Sequence, residues 1–234
     1  MSTDRQLLIG GEHVAAASGK RTDDRDPYTG DLVTTVAAAG PDDAKRAVDA
    51  AEAAFGPWAA MAPSQRRRLF LDAAGLLESR AHDASQLVTA ETGAVSHWGA
   101  FNVHLAAEML REAAASITQP VGEVLTTSKP GAISMSIRQP TGVVVSFAPW
   151  NAPIILGIRS VAVPLAVGNT VVMKPTEHAP MSAGLFLADV LNEAGFPSGV
   201  CNVVTTAPED AAEVAEALIA DPRVRRVSFT GSTR

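Results

Sequence analysis

At 234 residues the chain is long enough to bury a sizeable core, in one domain or two. It is 47% hydrophobic and 19% charged, ordinary for a globular protein, and its net charge of −6 leaves no basic patch for nucleic acid. No apolar run approaches the roughly 18 residues of a membrane span. The start, MSTDRQLLIGGEHV, lacks the apolar core of a secretory leader, and the single cysteine, Cys201, permits no internal disulfide. A cytoplasmic chain with no nucleic-acid or membrane partner is expected.

Leu7–Val14 reads as a hairpin turning at Gly10-Gly11. Asp26-Pro27-Tyr28-Thr29-Gly30 is a turn, and Leu32–Ala37 is a strand. Helices follow. Pro41–Phe55 opens Pro-Asp-Asp, which suits a helix N-terminus, and puts Ala44, Val48, Ala51 and Phe55 on one face. Ser64 is placed to cap a second helix striped by Leu69, Ala73, Leu76 and Leu77. Arg66-Arg67-Arg68 near its start reads as a solvated face. A third helix runs from His82 to Glu91 and stops at Thr92-Gly93. A fourth, Ser96 to Ala115, carries Phe101, Leu105, Met109 and Ala113.

The pattern changes at Pro120. Val121–Thr126 and Ile133–Ile137 are strand-like, on either side of the turn Ser128-Lys129-Pro130-Gly131. After Pro140, strands 142–147, 169–173, 201–205 and 224–229 alternate with helices 153–165, 181–194 and 209–220. These are three successive β-α-β crossovers, which require a parallel sheet with right-handed connections. The class is α/β.

Polar side chains gather at the carboxyl ends of the first two of these strands. Strand 142–147 ends in Pro149-Trp150-Asn151, and strand 169–173 runs into Lys174-Pro175-Thr176-Glu177. Open α/β sheets bind ligands at that edge. Lys174 suits an anionic cofactor, Glu177 a ribose diol, and the Asn151 amide a developing oxyanion. Taken one at a time, the same residues also read as a solvated strand exit and an ordinary turn. There is no GxGxxG, no Walker loop, no metal-ligand spacing and no nucleophile elbow. Cys201 opens an apolar strand with no Gly-rich turn before it, and is expected to be a core cysteine.

The segments FAPWNAP, PLAVGNTVVMKPTE, EAGFPSGVCNVV and VSFTGST, in that order, resemble the NAD(P)-dependent aldehyde dehydrogenase superfamily. The wording is most similar to the branch that oxidises aromatic aldehydes such as salicylaldehyde, benzaldehyde and vanillin. The resemblance runs from about Leu8 to Arg234. It implies a truncated aldehyde dehydrogenase fold: a Rossmann-type parallel sheet with N-terminal helices and a protruding β-hairpin. Residues 1–119 would be the β/helical part of the cofactor-binding domain, 120–139 an oligomerisation hairpin with unpaired edges, and 140–234 the cofactor-binding sheet. The family's nucleophilic cysteine and general-base glutamate lie downstream of the FTGST motif, so the catalytic domain is expected to be absent from these residues.

By the same resemblance, Asn151 is the oxyanion-binding amide. Phe147, Ala148, Pro149 and Trp150 pack along the cofactor, Lys174, Thr176 and Glu177 lie at its adenosine ribose, and Thr230, Gly231 and Ser232 meet its pyrophosphate, where a helix should begin. A carboxylate at the ribose favours NAD over NADP. His97, Trp98 and Asn102 are candidates to touch the small aldehyde substrate, with ordinary packing the other reading of Trp98. Arg159, eight residues beyond Asn151, reads either as a contact for a polar ring substituent or as the partner of an acid on the helix surface. Full-length relatives form homodimers or homotetramers. The resemblance implies the cofactor-binding part of a dehydrogenase. The alternative is an inactive remnant that acts as a cofactor-binding or interaction module.

Overall fold

The computed structural model describes residues 4–232. Five short strands open the chain: β1 (Asp4–Arg5), β2 (Leu7–Ile9), β3 (Glu12–Val14), β4 (Arg21–Arg25) and β5 (Leu32–Ala37). Four helices follow: α1 (Pro41–Ala60), α2 (Pro63–Ser79), α3 (Ala81–Thr92) and α4 (Ser96–Ser116). A hairpin comes next, β6 (Gly122–Leu125) and β7 (Ser134–Ile137). The alternating part is β8 (Val143–Ala148), α5 (Pro153–Ala166), β9 (Thr170–Pro175), α6 (Phe186–Glu193), β10 (Cys201–Val203), α7 (Ala211–Ala220) and β11 (Val224–Phe229). One π turn, Met181–Leu185, leads into α6, and a 3₁₀ turn, Pro208–Asp210, leads into α7.

The main sheet has the order β11-β8-β9-β10-β2-β3. Its first four strands are parallel, and β2 and β3 close one side as an antiparallel hairpin. The Leu7–Val14 hairpin is thus part of this sheet, with Leu8 paired to Val203. β8 and β9 are buried along their whole length, as expected of parallel strands covered on both faces. Their side chains alternate between two cores. Val144, Val171 and Met173 face α2, α4, α5 and α6, while Val143, Val145 and Val172 face α1 and α7.

Strand order reverses at β8. α5 leads from β8 to β9 on one side, and α7 returns the chain to place β11 on the other. The carboxyl ends of β8 and β11 therefore flank a switch point, the usual ligand crevice of such sheets.

Several local expectations are corrected. β4, with the sequence RTDDR, carries no hydrophobic signal and is a strand because it pairs with β5. α1 continues beyond Phe55, through Pro57, to Ala60. Pro57 lies in the exposed last turn, while Trp58 is buried and its indole N–H donates to the Leu165 carbonyl at 3.1 Å, so tertiary anchoring overrides the break. Ser64 is not the cap of α2. Pro63 takes the first helical position after Ala62, and no side chain caps that end.

Arg66 is buried rather than solvated. Its Nη1 donates to the Trp58 carbonyl at 3.0 Å, and its guanidinium lies 5.6 Å from the centre of the Trp58 ring. Of the three arginines, it alone shares the buried face of Phe70, Ala73, Ala74 and Leu77. α4 buries Val103, Ala106, Ala107, Leu110, Ala113 and Ala114, and leaves Phe101 exposed. Its small residues let α2 and α3 approach. A Cβ on Gly99 would meet the Ser85 Cα at 2.7 Å.

The hairpin of β6 and β7 forms a two-stranded sheet of its own, with Val124, Ile133 and Met135 exposed. No helix among the described residues is long and apolar enough to cross a membrane.

Candidate functional site

β8 and β9 bring the expected residues into register. Phe147 lies beside Lys174, and Ala148 beside Pro175. The pairing continues past the strand ends, where the Thr176 N–H donates to the Ala148 carbonyl at 2.9 Å. On the other side, the Thr230 N–H donates to the Phe147 carbonyl at 3.3 Å. The Phe147 ring meets Phe229 edge-on, with centroids 5.8 Å apart. The backbone around Phe147 is thus fixed from both neighbouring strands. Phe147 and Ala148 are buried, and Trp150 is 52% exposed.

Lys174 is buried, and its ammonium bonds to Glu177 Oε1. The Thr206 hydroxyl donates to the same oxygen at 3.0 Å. Burial pushes the Glu177 carboxyl up, but the Lys174 charge and the hydrogen bonds from Lys174 and Thr206 outweigh it and hold Glu177 below the ordinary range. Glu177 is therefore an ionised acceptor at neutral pH, beside one buried cation. Thr206 was not singled out from the sequence. Its only signal was a threonine at the carboxyl end of β10, in the loop Thr205-Thr206-Ala207-Pro208.

Asn151 is exposed on the loop between β8 and α5. Its backbone carbonyl accepts from the Trp98 indole N–H at 3.0 Å. Asn102, which was expected near a substrate, is fully buried and hydrogen-bonded within the protein. Trp98 stacks on Phe101 at 5.5 Å, at the outer side of α4. His97 on α4 and Arg159 on α5 are exposed. Thr230 is half-buried, and Gly231 and Ser232 are exposed. The helix expected after Ser232 lies outside the described residues.

A cavity of about 540 Å³ reaches from Trp150 and Glu177 to Asp24 and Glu91. Both oxygens of the buried Glu91 accept backbone N–H groups, from Met181 and Ser182, each at 2.8 Å. Glu91 thereby caps the π turn that follows the Glu177 loop. Burial pushes Glu91 well above the ordinary range, and the neighbouring Asp24 adds to this. Burial also raises Asp24, to about 6. Such a pair favours a shared proton.

Cys201 is buried in the core, and burial pushes its thiol up to about 12. It is not a thiolate at neutral pH, so it is not a nucleophile here.

The donor set suits a dinucleotide. One ionised carboxylate and one ammonium stand at the carboxyl end of β9, beside the switch point of the sheet, and an unshielded carboxamide follows β8.

A family model described as "Aldehyde dehydrogenase family" matches residues 13–234. The chain is 53% identical over 227 residues to a vanillin dehydrogenase of Pseudomonas sp. strain HR199, covering 97% of this chain and 47% of that protein. The fold is similar to a solved salicylaldehyde dehydrogenase from Pseudomonas putida G7 in complex with salicylaldehyde. The TM-score is 0.97 at 38% identity, covering 100% of this chain and 48% of that one. A NAD-dependent benzaldehyde dehydrogenase from Corynebacterium glutamicum gives a TM-score of 0.92 at 33% identity, over 98% of this chain and 50% of that one. The chain spans about half the length of the relatives it matches.

Proposed function

The chain belongs to the aldehyde dehydrogenase family, and we propose that it forms the N-terminal, cofactor-binding part of an NAD-dependent enzyme that oxidises aromatic aldehydes to carboxylic acids. The observation that carries this reading is the Lys174–Glu177–Thr206 cluster at the carboxyl end of β9, one strand from the Asn151 loop. Likeness to vanillin and salicylaldehyde dehydrogenases supports the aromatic class.

In this reading Glu177 accepts hydrogen bonds from the adenosine ribose diol, and Lys174 holds Glu177 ionised while reaching the same sugar. A fixed negative charge at that place repels a 2′-phosphate, so NAD is preferred to NADP. Phe147, Ala148, Pro149 and Trp150 form the wall along the dinucleotide. Thr176 closes the strand pairing beneath it. Thr230, Gly231 and Ser232 form the pyrophosphate turn, in which the Gly231 and Ser232 backbone N–H groups and the Ser232 hydroxyl are the donors, since the Thr230 N–H is taken by the Phe147 carbonyl. The nicotinamide, when bound, supplies the hydride acceptor.

Asn151 donates its side-chain N–H to the oxygen that becomes negative when a thiolate adds to the aldehyde carbonyl. One such donor is worth roughly 3 kcal/mol in the transition state. The thiolate comes from residues outside these 234, since Cys201 is buried and protonated. Residues 1–119 and 140–234 build the cofactor-binding domain. Residues 120–139 are an arm for pairing with another subunit, in a homo-oligomer of the cytoplasm.

The test measures NAD and NADP affinity by titration, and NAD reduction with vanillin, salicylaldehyde and benzaldehyde, for the enzyme carrying this chain. Expected are preference for NAD, reversed or abolished in Glu177→Gln, and turnover lowered about a hundredfold in Asn151→Ala. Equal binding of NAD and NADP that ignores Glu177 would overturn the cofactor assignment. Full turnover in Asn151→Ala would overturn the role of that amide.

A further inference from the structure

No side chain of α5 caps that helix, and its start is held instead from α4. The Trp98 indole N–H donates to the Asn151 carbonyl at 3.0 Å. One turn further along α4, Asn102 Oδ1 accepts the Ile155 N–H at 3.4 Å. Asn102 Nδ2 donates back to the Trp98 carbonyl at 2.9 Å. Two residues four apart on α4 therefore grip two backbone groups four apart, one on each side of the α5 N-terminus. Asn102 is 0% exposed, so losing either bond leaves a buried polar group unmatched. The stack of Trp98 on Phe101, with planes 25° apart, fixes the direction of the indole N–H.

We propose that Trp98 and Asn102 are positioning residues for the Asn151 carboxamide. This rests on the aldehyde dehydrogenase reading above. The Asn151 side chain is exposed, so its aim depends on where the loop backbone is held. An oxyanion donor works because it is oriented before charge develops. A displacement near 1 Å in such a group costs up to about a hundredfold in rate.

Trp98→Phe keeps a stacked ring and deletes only the N–H. In the enzyme carrying this chain, kcat is expected to fall about tenfold while KM for NAD stays constant. Deuterium uptake over residues 149–156 is expected to rise. The double variant Trp98→Phe/Asn151→Ala is expected to be no slower than Asn151→Ala alone, because the strap acts through that amide. Wild-type kcat and wild-type uptake in Trp98→Phe would overturn the proposal. A double variant slower than Asn151→Ala by the full Trp98→Phe factor would overturn it too, and would make Trp98 an independent contributor. If the wild-type enzyme reduces no NAD with any aldehyde, the functional reading fails, and the uptake measurement alone then decides whether the strap holds the loop.

Discussion

Thr206 donates its hydroxyl to Glu177 Oε1, the oxygen that Lys174 also reaches. Two donors, one on β9 and one in the loop after β10, thus converge on one carboxylate oxygen. Thr206→Val keeps the shape and deletes one donor. NAD affinity is expected to drop about threefold, well short of the effect of Glu177→Gln, as read by fluorescence titration. Because the Glu177 carboxyl is held low, its contribution to stability is present above the ordinary carboxylate value and is lost as pH falls through the depressed one.

Asp24 and Glu91 act in the opposite sense. Both are raised by burial, so the folded protein holds their protons more tightly than the unfolded chain does. The stability they confer is full at acid pH and declines as pH rises from the ordinary carboxylate value through about 6, the value for Asp24. Asp24→Asn removes the charge that must form beside Glu91. Its melting temperature at pH 7.5 is expected to exceed the wild type by about 3–5 °C, with the gap closing near pH 4.5. An equal gap at both pH values would exclude this account.

Arg66→Met should destabilise the protein by about 1–2 kcal/mol, because the Trp58 carbonyl keeps only the Met61 N–H and the Met61 carbonyl loses the guanidinium donor. Arg66→Lys should recover little of this, since an ammonium has neither the planar fork nor the weak hydration of a guanidinium. Urea unfolding of the three proteins side by side provides the comparison.

Gly99→Ala places a methyl 2.7 Å from the Ser85 Cα and 2.9 Å from its carbonyl oxygen. Both are backbone atoms, so α3 and α4 must separate. A loss of about 2–3 kcal/mol is expected. Ser85→Gly should not rescue it, because the obstructing backbone remains.

The alternating half was legible because β8 and β9 are buried on both faces and rich in valine, which leaves a plain pattern in sequence, while β11, largely exposed, was marked by its place in the strand-helix alternation. β8, β9 and β11 fall within a residue or two of the expected limits. Polar residues were placed well only where a motif carried them. Lys174 and Glu177 stand at the carboxyl end of β9, where strand 169–173 put them, and pair there, whereas Arg66 looked solvated because one arginine in a row of three resembles its neighbours until helical phase selects it. β4 had no signal, since its stability comes from its partner strand. Asn102, a candidate for substrate contact because of the helix it sits on, is instead fully buried, and only packing against α5 reveals its bond to the Ile155 N–H.

The pairing of Leu8 with Val203 also sets a timetable. The hairpin of β2 and β3 has no sheet to join until β10 has emerged, since Gly10 and its partner Asn202 lie 192 residues apart. The Gly10 N–H is likewise without its partner until the Asn202 side chain arrives, 2.8 Å away in the finished fold. During synthesis β2 can meet α1 but lacks its partner strand, and closure of this sheet is a late, long-range event that local structure cannot accelerate. A change that delays the hairpin would therefore be felt at β10, far away in sequence.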